Sequence, residues 1–505
     1  MFQNKFEFIR VFLVSTLVVL FFSLPTLYAY KINIPGKVFS GNSFLFDPSD
    51  INVYVAAIRW SQKNGFNFQN AFTTKSESNK VILYPLYTGL GTVFPKIDPY
   101  VLYNLTVIIT SYITLYTIFY CARVLSGSKS IALTSLFLVP LAGGFGWLLS
   151  LKVTTPDFYT TPFTFFNVFQ RPHEMLALSF YIASLTFFFA SCKSVKMKNL
   201  MLSIVFTYLF LIFYPYLLAS FYLIAFIFTC YKYLKDKDRN LLKNFGVLVI
   251  LTLPFAGIYP LWLLQSKGFG GVLIPNLHPP APINIALGYG ILFVFFIYQL
   301  IKVKRDDRLI FLNLWFLISL ILIYTPFSFS IYYLRGLFFP LTIIFLLTFG
   351  EFLPSSNRLK ELYKITILTL ICLTSIFLFV IRIYSIETGF YKFFLDREDI
   401  ELFSYLKSNT QPESGVLASY PLANYIPPNT YNRVYYGHPN QTPEGEEKLF
   451  QQNKFYQGNY SETEGLVFLK ENNINYVVWE ANKKTPYSFL NTVYQNGKNI
   501  IYEVE

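Results

Sequence analysis

Of the 505 residues, 54% are hydrophobic and only 14% are charged, against about 25% charged in a soluble domain. With a mean hydropathy of +0.43, this excludes a soluble enzyme, a disordered chain and a fibrous protein, and leaves a polytopic helical membrane protein. The net charge of +13, from 41 Lys and Arg against 28 Asp and Glu, is then first a question of which loops hold the positives; nucleic acid is not needed to explain it.

Apolar runs of about 20 residues mark spans. In chain order they lie near 11–30, 99–121, 130–151, 175–192, 199–214, 216–231, 244–264, 283–301, 308–326, 331–352 and 364–384, eleven in all. The first is too long for a signal peptide and has no small-x-small site near Tyr28-Ala29-Tyr30, so it reads as a retained helix. The pair 199–231 reads as two short helices around Tyr214-Pro215-Tyr216. With the N-terminus, Lys5 and Arg10 placed inside, the inner side collects nineteen Lys and Arg, while the short outer loops hold three, Lys152, Arg171 and Lys267, and a fourth, Arg335, stands at an outer helix end. That asymmetry predicts a cytoplasmic N-terminus and puts segments 31–98 and 385–505 outside the cytoplasm. The expected division is a transmembrane domain over 1–384, with 31–98 as its long first outer loop, and an outer domain over 385–505. Cys121, Cys192, Cys230 and Cys372 all fall outside those two polar segments and show no CxxC or Cys/His metal spacing, so no disulfide framework is implied.

In the first loop, Asp47-Pro48-Ser49-Asp50 opens an amphipathic helix to about Lys63, with Ile51, Tyr54, Val55 and Ile58 at helical spacing. Such a helix can lie along a membrane face. A second run, Val81 to Phe94, is broken by Pro85, Gly89 and Gly91 and is read as a dip into the outer leaflet. In the tail, Asp396–Leu406, Thr442–Phe455 and Glu462–Glu471 read as helices; Gly415–Ser419, Arg433–Gly437, Tyr476–Glu480 and Ile500–Val504 read as strands. That alternation predicts a small α/β layer with a largely parallel sheet. No glycine-rich phosphate fingerprint, GxSxG or kinase signature occurs.

Few residues carry chemistry. Asp47 before Pro48 fits an N-cap with Pro at the first helical position, and Asp50 then complements the macrodipole in the first turn. Either carboxylate could instead accept a proton or hold a cation. Tyr54 shares a helix face with Asp50, one turn on. Gln170-Arg171-Pro172-His173-Glu174 stands at the outer mouth of the fourth span. Arg171 has the fork geometry that suits a phosphate, or snorkels to the surface; Glu174 reads as a second acid or a metal ligand. Arg335 lies in the outer end of the tenth span, where a cation needs a partner: a lipid phosphate, or an acid from an outer loop. The loop 265–282, with Gly268, Gly270, Gly271, Pro275 and His278, reads as a connector before a substrate loop. His438, in Tyr435-Tyr436-Gly437-His438-Pro439, reads as a surface histidine before a site residue. Asp236-Lys237-Asp238 and Asp306-Asp307 read as solvated turns.

The first span ending in a long outer loop with an early acid, the many spans and the outer tail domain together resemble the GT-C superfamily of integral-membrane glycosyltransferases. Asp50-Ile51-Asn52-Val53-Tyr54, Tyr84-Pro85-Leu86-Tyr87, Arg171-Pro172-His173-Glu174 and the run Tyr435–Pro443 are similar to segments of its uncharacterised bacterial members. The resemblance implies an all-α polytopic bundle with a small C-terminal α/β domain. It implies transfer of a hexose or pentose from a polyprenyl-phosphate donor to a glycan, lipid or protein acceptor at the outer face of the plasma membrane. The catalytic base or metal-holding acid would be Asp50, with Asp47 second; Arg335 or Arg171 would contact the carrier phosphate. Tyr54, His173, Glu174 and His438 complete the candidate substrate-binding set. A divalent cation is allowed, and membrane lipid is the other partner. The chain departs from oligosaccharyltransferases in having no outer DxD and no tail motif of their kind. The alternative to an enzyme is a lipid or polysaccharide transporter or export component, for which midplane charges and inverted repeats would be the sign; neither is evident.

Overall fold

The computed structural model describes all residues except 1–4, 76–82, 150–151, 161–162, 195, 266–277, 303–305, 328–329 and 484. The described residues of each of the eleven apolar runs are largely helical, but not all the helices are long enough to cross a membrane alone. Among the described residues eight helices are: Lys5–Lys31, Pro99–Ser126, Lys129–Leu149, Pro172–Ser194, Leu217–Asp236, Arg239–Ile258, Ser330–Phe352 and Asn357–Glu387. The other three runs depart for local reasons. Pro282–Tyr289 and Ile291–Lys302 meet at a bend of 104°. The hinge is Gly290, with φ +55 and the Gly144 Cα only 2.8 Å from where a Cβ would sit, so a side chain there would meet both strain and a clash. Counting that pair as one span gives nine. Met197–Leu211, with 15 residues, ends where the chain turns into Tyr214-Pro215-Tyr216. Asp307–Leu322 has 16 residues and starts at Asp306, whose carboxylate accepts the Arg308 N–H. At about 1.5 Å per residue neither reaches the roughly 30 Å of a bilayer core. The chain is a multi-pass membrane protein.

Two compact units divide it. One comprises the described parts of Met1–Pro25, Thr106–Tyr259 and Asn276–Tyr384; the other joins Thr26–Leu105 and Ser385–Glu505, with the described residues of Pro260–Pro275. The long first loop therefore groups with the tail residues, where the sequence suggests a boundary only at 384–385.

Within the first unit the helix Lys129–Leu141 gives way, after Pro140, to a non-helical stretch through Gly143 and Gly144. Non-helical backbone at this depth requires that its N–H groups be satisfied inside the protein. Asp157 does this: one carboxylate oxygen accepts the N–H of Gly144 at 2.8 Å and of Gly146 at 3.0 Å, and the Thr374 hydroxyl at 2.8 Å. Burial raises the Asp157 carboxyl above its ordinary value, and these bonds offset only part of that rise. Only glycine fits at 144, because a Cβ would lie 2.2 Å from the Leu287 carbonyl oxygen.

The second unit is built on a five-stranded sheet, preceded by a short antiparallel pair. The pair is β1 (Lys37–Phe39) with β2 (Phe394–Asp396), in register Val38 to Leu395. The sheet is formed by β3 (Gly415–Leu417), β4 (Arg433–Val434), β5 (Ile474–Glu480), β6 (Leu490–Gln495) and β7 (Asn499–Val504), in the order β4-β3-β5-β7-β6. β3 runs parallel to β4 and β5, while β7 runs antiparallel to β5 and β6, so the sheet is mixed and not largely parallel. β6 escapes sequence reading because it is an edge strand of mostly uncovered, polar residues. The helix Leu422–Asn429 escapes it because Pro427 and Pro428 stand inside it.

The first-loop helix, Pro48–Asn64, does not lie along a surface. Eleven of its 17 residues are buried, around its whole circumference from Ile51 to Ser61, and it packs against Pro85–Val93 and Leu422–Asn429. Val53, Ala56 and Phe72 of the first loop share one apolar core with Leu402, Leu406, Val416, Ile426, Val434 and Ile501 of the tail. The apolar stripe that suggested a membrane face is a protein core face.

Candidate functional site

The sequence candidates fall into two clusters, one in each unit. In the second unit Asp47 is the N-cap residue of Pro48–Asn64, as its place before Pro48 predicts, but its side chain makes no capping bond. It accepts the Ser49 hydroxyl at 2.8 Å instead. Asp50, in the first turn, meets His438: Oδ1 lies 3.1 Å from Nε2. The two side chains are 22% and 2% exposed, so the expected surface histidine is buried against an accessible acid. The other ring nitrogen, Nδ1, accepts the backbone N–H groups of Asn440 at 3.1 Å and Gln441 at 3.2 Å. Thr442 Oγ1 accepts the N–H of His438 at 3.2 Å, closing a tight turn around the ring.

An amide chain fixes the helix against this turn. Asn52 donates to Asn424 Oδ1 at 2.7 Å, Asn424 donates to the Gly437 carbonyl at 2.9 Å, and the Tyr100 hydroxyl donates to Asn52 Oδ1 at 2.8 Å. Asn52 lies within the Asp50–Tyr54 segment but was not singled out as a site residue, and Asn424 carries no sequence signal. Tyr54 is buried and stacks on Tyr87, with ring centroids 4.9 Å apart. Tyr84, in the left-handed region at φ 53, accepts a hydrogen bond from Gln441 Nε2 at 3.0 Å. Tyr420 joins the cluster unforeseen. Burial raises its phenol, a Ser49 hydrogen bond lowers it, and the nearby Asp47 and Asp50 charges raise it again.

In the first unit Glu174 gathers the two arginines. Its Oε1 accepts Arg171 Nη1 at 3.1 Å and Arg335 Nη2 at 2.9 Å, and all three side chains are buried. Arg335 also donates to the Tyr216 hydroxyl. Its guanidinium is flanked by the rings of Tyr214 and Tyr332, at 4.4 and 4.2 Å from their centroids, a cation–π pair that orients it. His173 sits edge-on to Tyr214, ring centroids 5.9 Å apart. Arg171 therefore does not snorkel to a surface, and Glu174 is a counter-ion. Its place in the first turn after Pro172 also suits the helix dipole.

No family model matches the chain, and no curated protein matches it. Solved structures do. The Archaeoglobus fulgidus oligosaccharyltransferase tethered to an acceptor peptide with the NVT sequon has a TM-score of 0.59 at 13% identity, over 95% of this chain and 69% of its own. The same protein, AglB, with an inhibitory peptide and a dolichol-phosphate has a TM-score of 0.56 at 13% identity, over 94% and 70%. ArnT from Cupriavidus metallidurans, in the apo state, has a TM-score of 0.54 at 10% identity, over 96% and 97%. Both proteins are GT-C membrane glycosyltransferases. The chain has the GT-C fold.

That GT-C fold accounts for the layout of spans and tail domain on which the sequence resemblance rested. AglB has also been solved with zinc and sulfate. Among the described residues of the present chain no three His, Cys, Asp or Glu side chains come together to hold a metal. Asp50 and His438 are two, and His438 spends its nitrogens on Asp50 and the backbone. The described residues do not build a cation site, and no step is derived through one.

The weaker candidates are structural or unseen. Gly268, Gly270, Gly271 and Pro275 lie outside the described residues, and His278 is exposed. Asp236 pairs with Lys232 at 2.5 Å, Asp238 accepts the Asn240 N–H at 2.9 Å, and Asp307 pairs with Lys232 and Lys235 at 2.9 and 2.6 Å.

Proposed function

We propose that the protein is a glycosyltransferase that moves a hexose or pentose from a polyprenyl-phosphate donor to an acceptor at the outer face of the plasma membrane. The reading rests on the GT-C fold together with one local observation: Asp50, the first-loop acid, is accessible and is held by a buried histidine. Asp50 takes the proton of the acceptor nucleophile as the new glycosidic bond forms. The sugar–phosphate bond breaks, and its electron pair leaves with the carrier phosphate. Within the first unit, the guanidinium of Arg335 is oriented between Tyr214 and Tyr332 and has the fork geometry that suits a carrier phosphate. Glu174 keeps the two cations compensated when no phosphate is bound. AglB bound to dolichol-phosphate is the support for a lipid carrier of this kind.

The direct test is to reconstitute the protein in vesicles with a panel of polyprenyl-phosphate hexoses and pentoses and to follow release of the free polyprenyl phosphate. Turnover of one donor, dependent on an added glycan, lipid or peptide acceptor, is expected; no release with any donor would sink the reading. The outer face is tested separately. In a background lacking the four native cysteines, Ser408→Cys, on an exposed helical position, is expected to react with an impermeant maleimide on intact cells. Labelling only after lysis would reverse the topology.

A further inference from the structure

We infer that His438 is a positioning residue that holds the Asp50 carboxylate from a single, locked tautomer. The inference rests on the reading of Asp50 as the proton acceptor. Its ground is the surroundings of the ring. Two backbone N–H groups, of Asn440 and Gln441, point at Nδ1 from 3.1 and 3.2 Å. A proton on Nδ1 would face both of theirs, so Nδ1 is the acceptor and the ring carries its proton on Nε2. Nε2–H then donates to Asp50 Oδ1 at 3.1 Å.

The ring cannot turn over to exchange the two nitrogens without emptying the turn. The His438 carbonyl accepts the Thr442 N–H at 2.9 Å, the Thr442 hydroxyl oxygen accepts the His438 N–H at 3.2 Å, and the side chain is 2% exposed. His438 is thus a donor to the acid and has no lone pair turned towards it. It orients one carboxylate oxygen and relays no proton. The turn carrying it is tied to the helix carrying Asp50 by Asn424, which bonds both the Gly437 carbonyl and Asn52.

The two ring nitrogens can be replaced one at a time. In His438→Asn the amide oxygen overlays Nδ1 and keeps the turn, but nothing reaches Asp50. In His438→Gln the amide nitrogen overlays Nε2 and reaches Asp50, but the turn loses its acceptor. Asn is expected to lower kcat about ten- to hundred-fold, the usual effect of losing a hydrogen bond to a charged group, with KM and unfolding temperature little changed. Gln is expected to recover most of kcat while unfolding at lower temperature. A histidine that serves only the turn predicts the reverse: Asn active and stable, Gln impaired in both.

A second measurement needs no donor. With only three histidines in the chain, selective 15N-histidine labelling gives His438 signals assigned by their loss in the Gln variant. One protonated Nε2 and one unprotonated Nδ1 are expected, and Asp50→Asn should shift the first. A protonated Nδ1 would overturn the inference outright. Full turnover in Asp50→Asn would instead remove the catalytic reading on which it rests, whereas an essential Asp50 with Gln and Asn equally inactive would remove the inference alone.

Discussion

Asp50→Asn is expected to abolish sugar transfer and leave the folded protein in the membrane. The amide has the shape of the carboxylate and can still accept the His438 Nε2–H through its oxygen. Asparagine in place of one first-turn acid costs a helix only a few tenths of a kcal/mol up to about 1 kcal/mol. It cannot take a proton, and general-base catalysis typically contributes about 10²–10⁴-fold. Asp47→Asn should be much milder. The Asp47 side chain makes no capping bond and accepts the Ser49 hydroxyl, which an amide oxygen also accepts. Purified variants compared for turnover and thermal unfolding decide the matter. Near-normal turnover in the Asp50 variant would take it out of the chemistry, and parallel loss of stability and activity would return it to the role of a helix-terminal charge.

Arg335→Gln is expected to act twice, on stability and on lipid binding. Arg335 is buried against Glu174 and between Tyr214 and Tyr332. Removing it leaves the buried Glu174 carboxylate paired with Arg171 but without its second guanidinium. Breaking a buried ion pair costs about 3–5 kcal/mol, much of it the penalty on the stranded charge. If the guanidinium also holds the carrier phosphate, affinity for a short-chain polyprenyl phosphate falls about ten- to hundred-fold. The double variant Arg335→Gln with Glu174→Gln separates the two effects. Stability should largely return, because no lone charge is left, while lipid affinity stays low. Arg335→Lys should fall between, keeping a point charge but losing the fork and the ring stacking. Wild-type affinity in the double variant would refute the phosphate role and leave the cluster a structural one. Arg171→Gln is expected to have the smaller effect on binding, since Arg335 is the guanidinium oriented between Tyr214 and Tyr332.

Much of the fold is legible in the sequence because membrane spans and amphipathic helices announce themselves locally. The described residues of all eleven apolar runs are largely helical, and Glu462–Glu471 is a helix over the residues its pattern indicates. What local pattern misses is what depends on a partner. Gly290 sits in an unbroken apolar run, and only the Gly144 backbone packed against it shows why the helix must bend there. The stripe Ile51, Tyr54, Val55, Ile58 reads equally as a membrane face or a core face, and only the tail residues packed on it decide. The site follows the same rule. Asp50 and His438 were both visible as candidates, yet they are 388 positions apart, and a single sequence carries no sign that they meet. Glu174 was visible as an acid beside Arg171, but its hold on Arg335 comes from packing between distant helices. Asp157 offered no signal at all, because a lone acid in a Thr- and Pro-rich stretch looks like any loop residue.

The shared core of the first loop and the tail has a consequence for how the protein is made. Val53, Ala56 and Phe72 leave the ribosome long before the residues that cover them, from Leu395 to Ile501. Between the two lie nearly all the membrane insertions. Closing so long a loop is slow and entropically costly, so the early segment waits, apolar side chains uncovered, until those residues have been made. A chain that stops before His438 leaves that surface uncovered and never forms the Asp50–His438 pair. Assembly of the tail onto the first loop is therefore the step that joins the two halves of the pair, which no earlier intermediate on the chain contains.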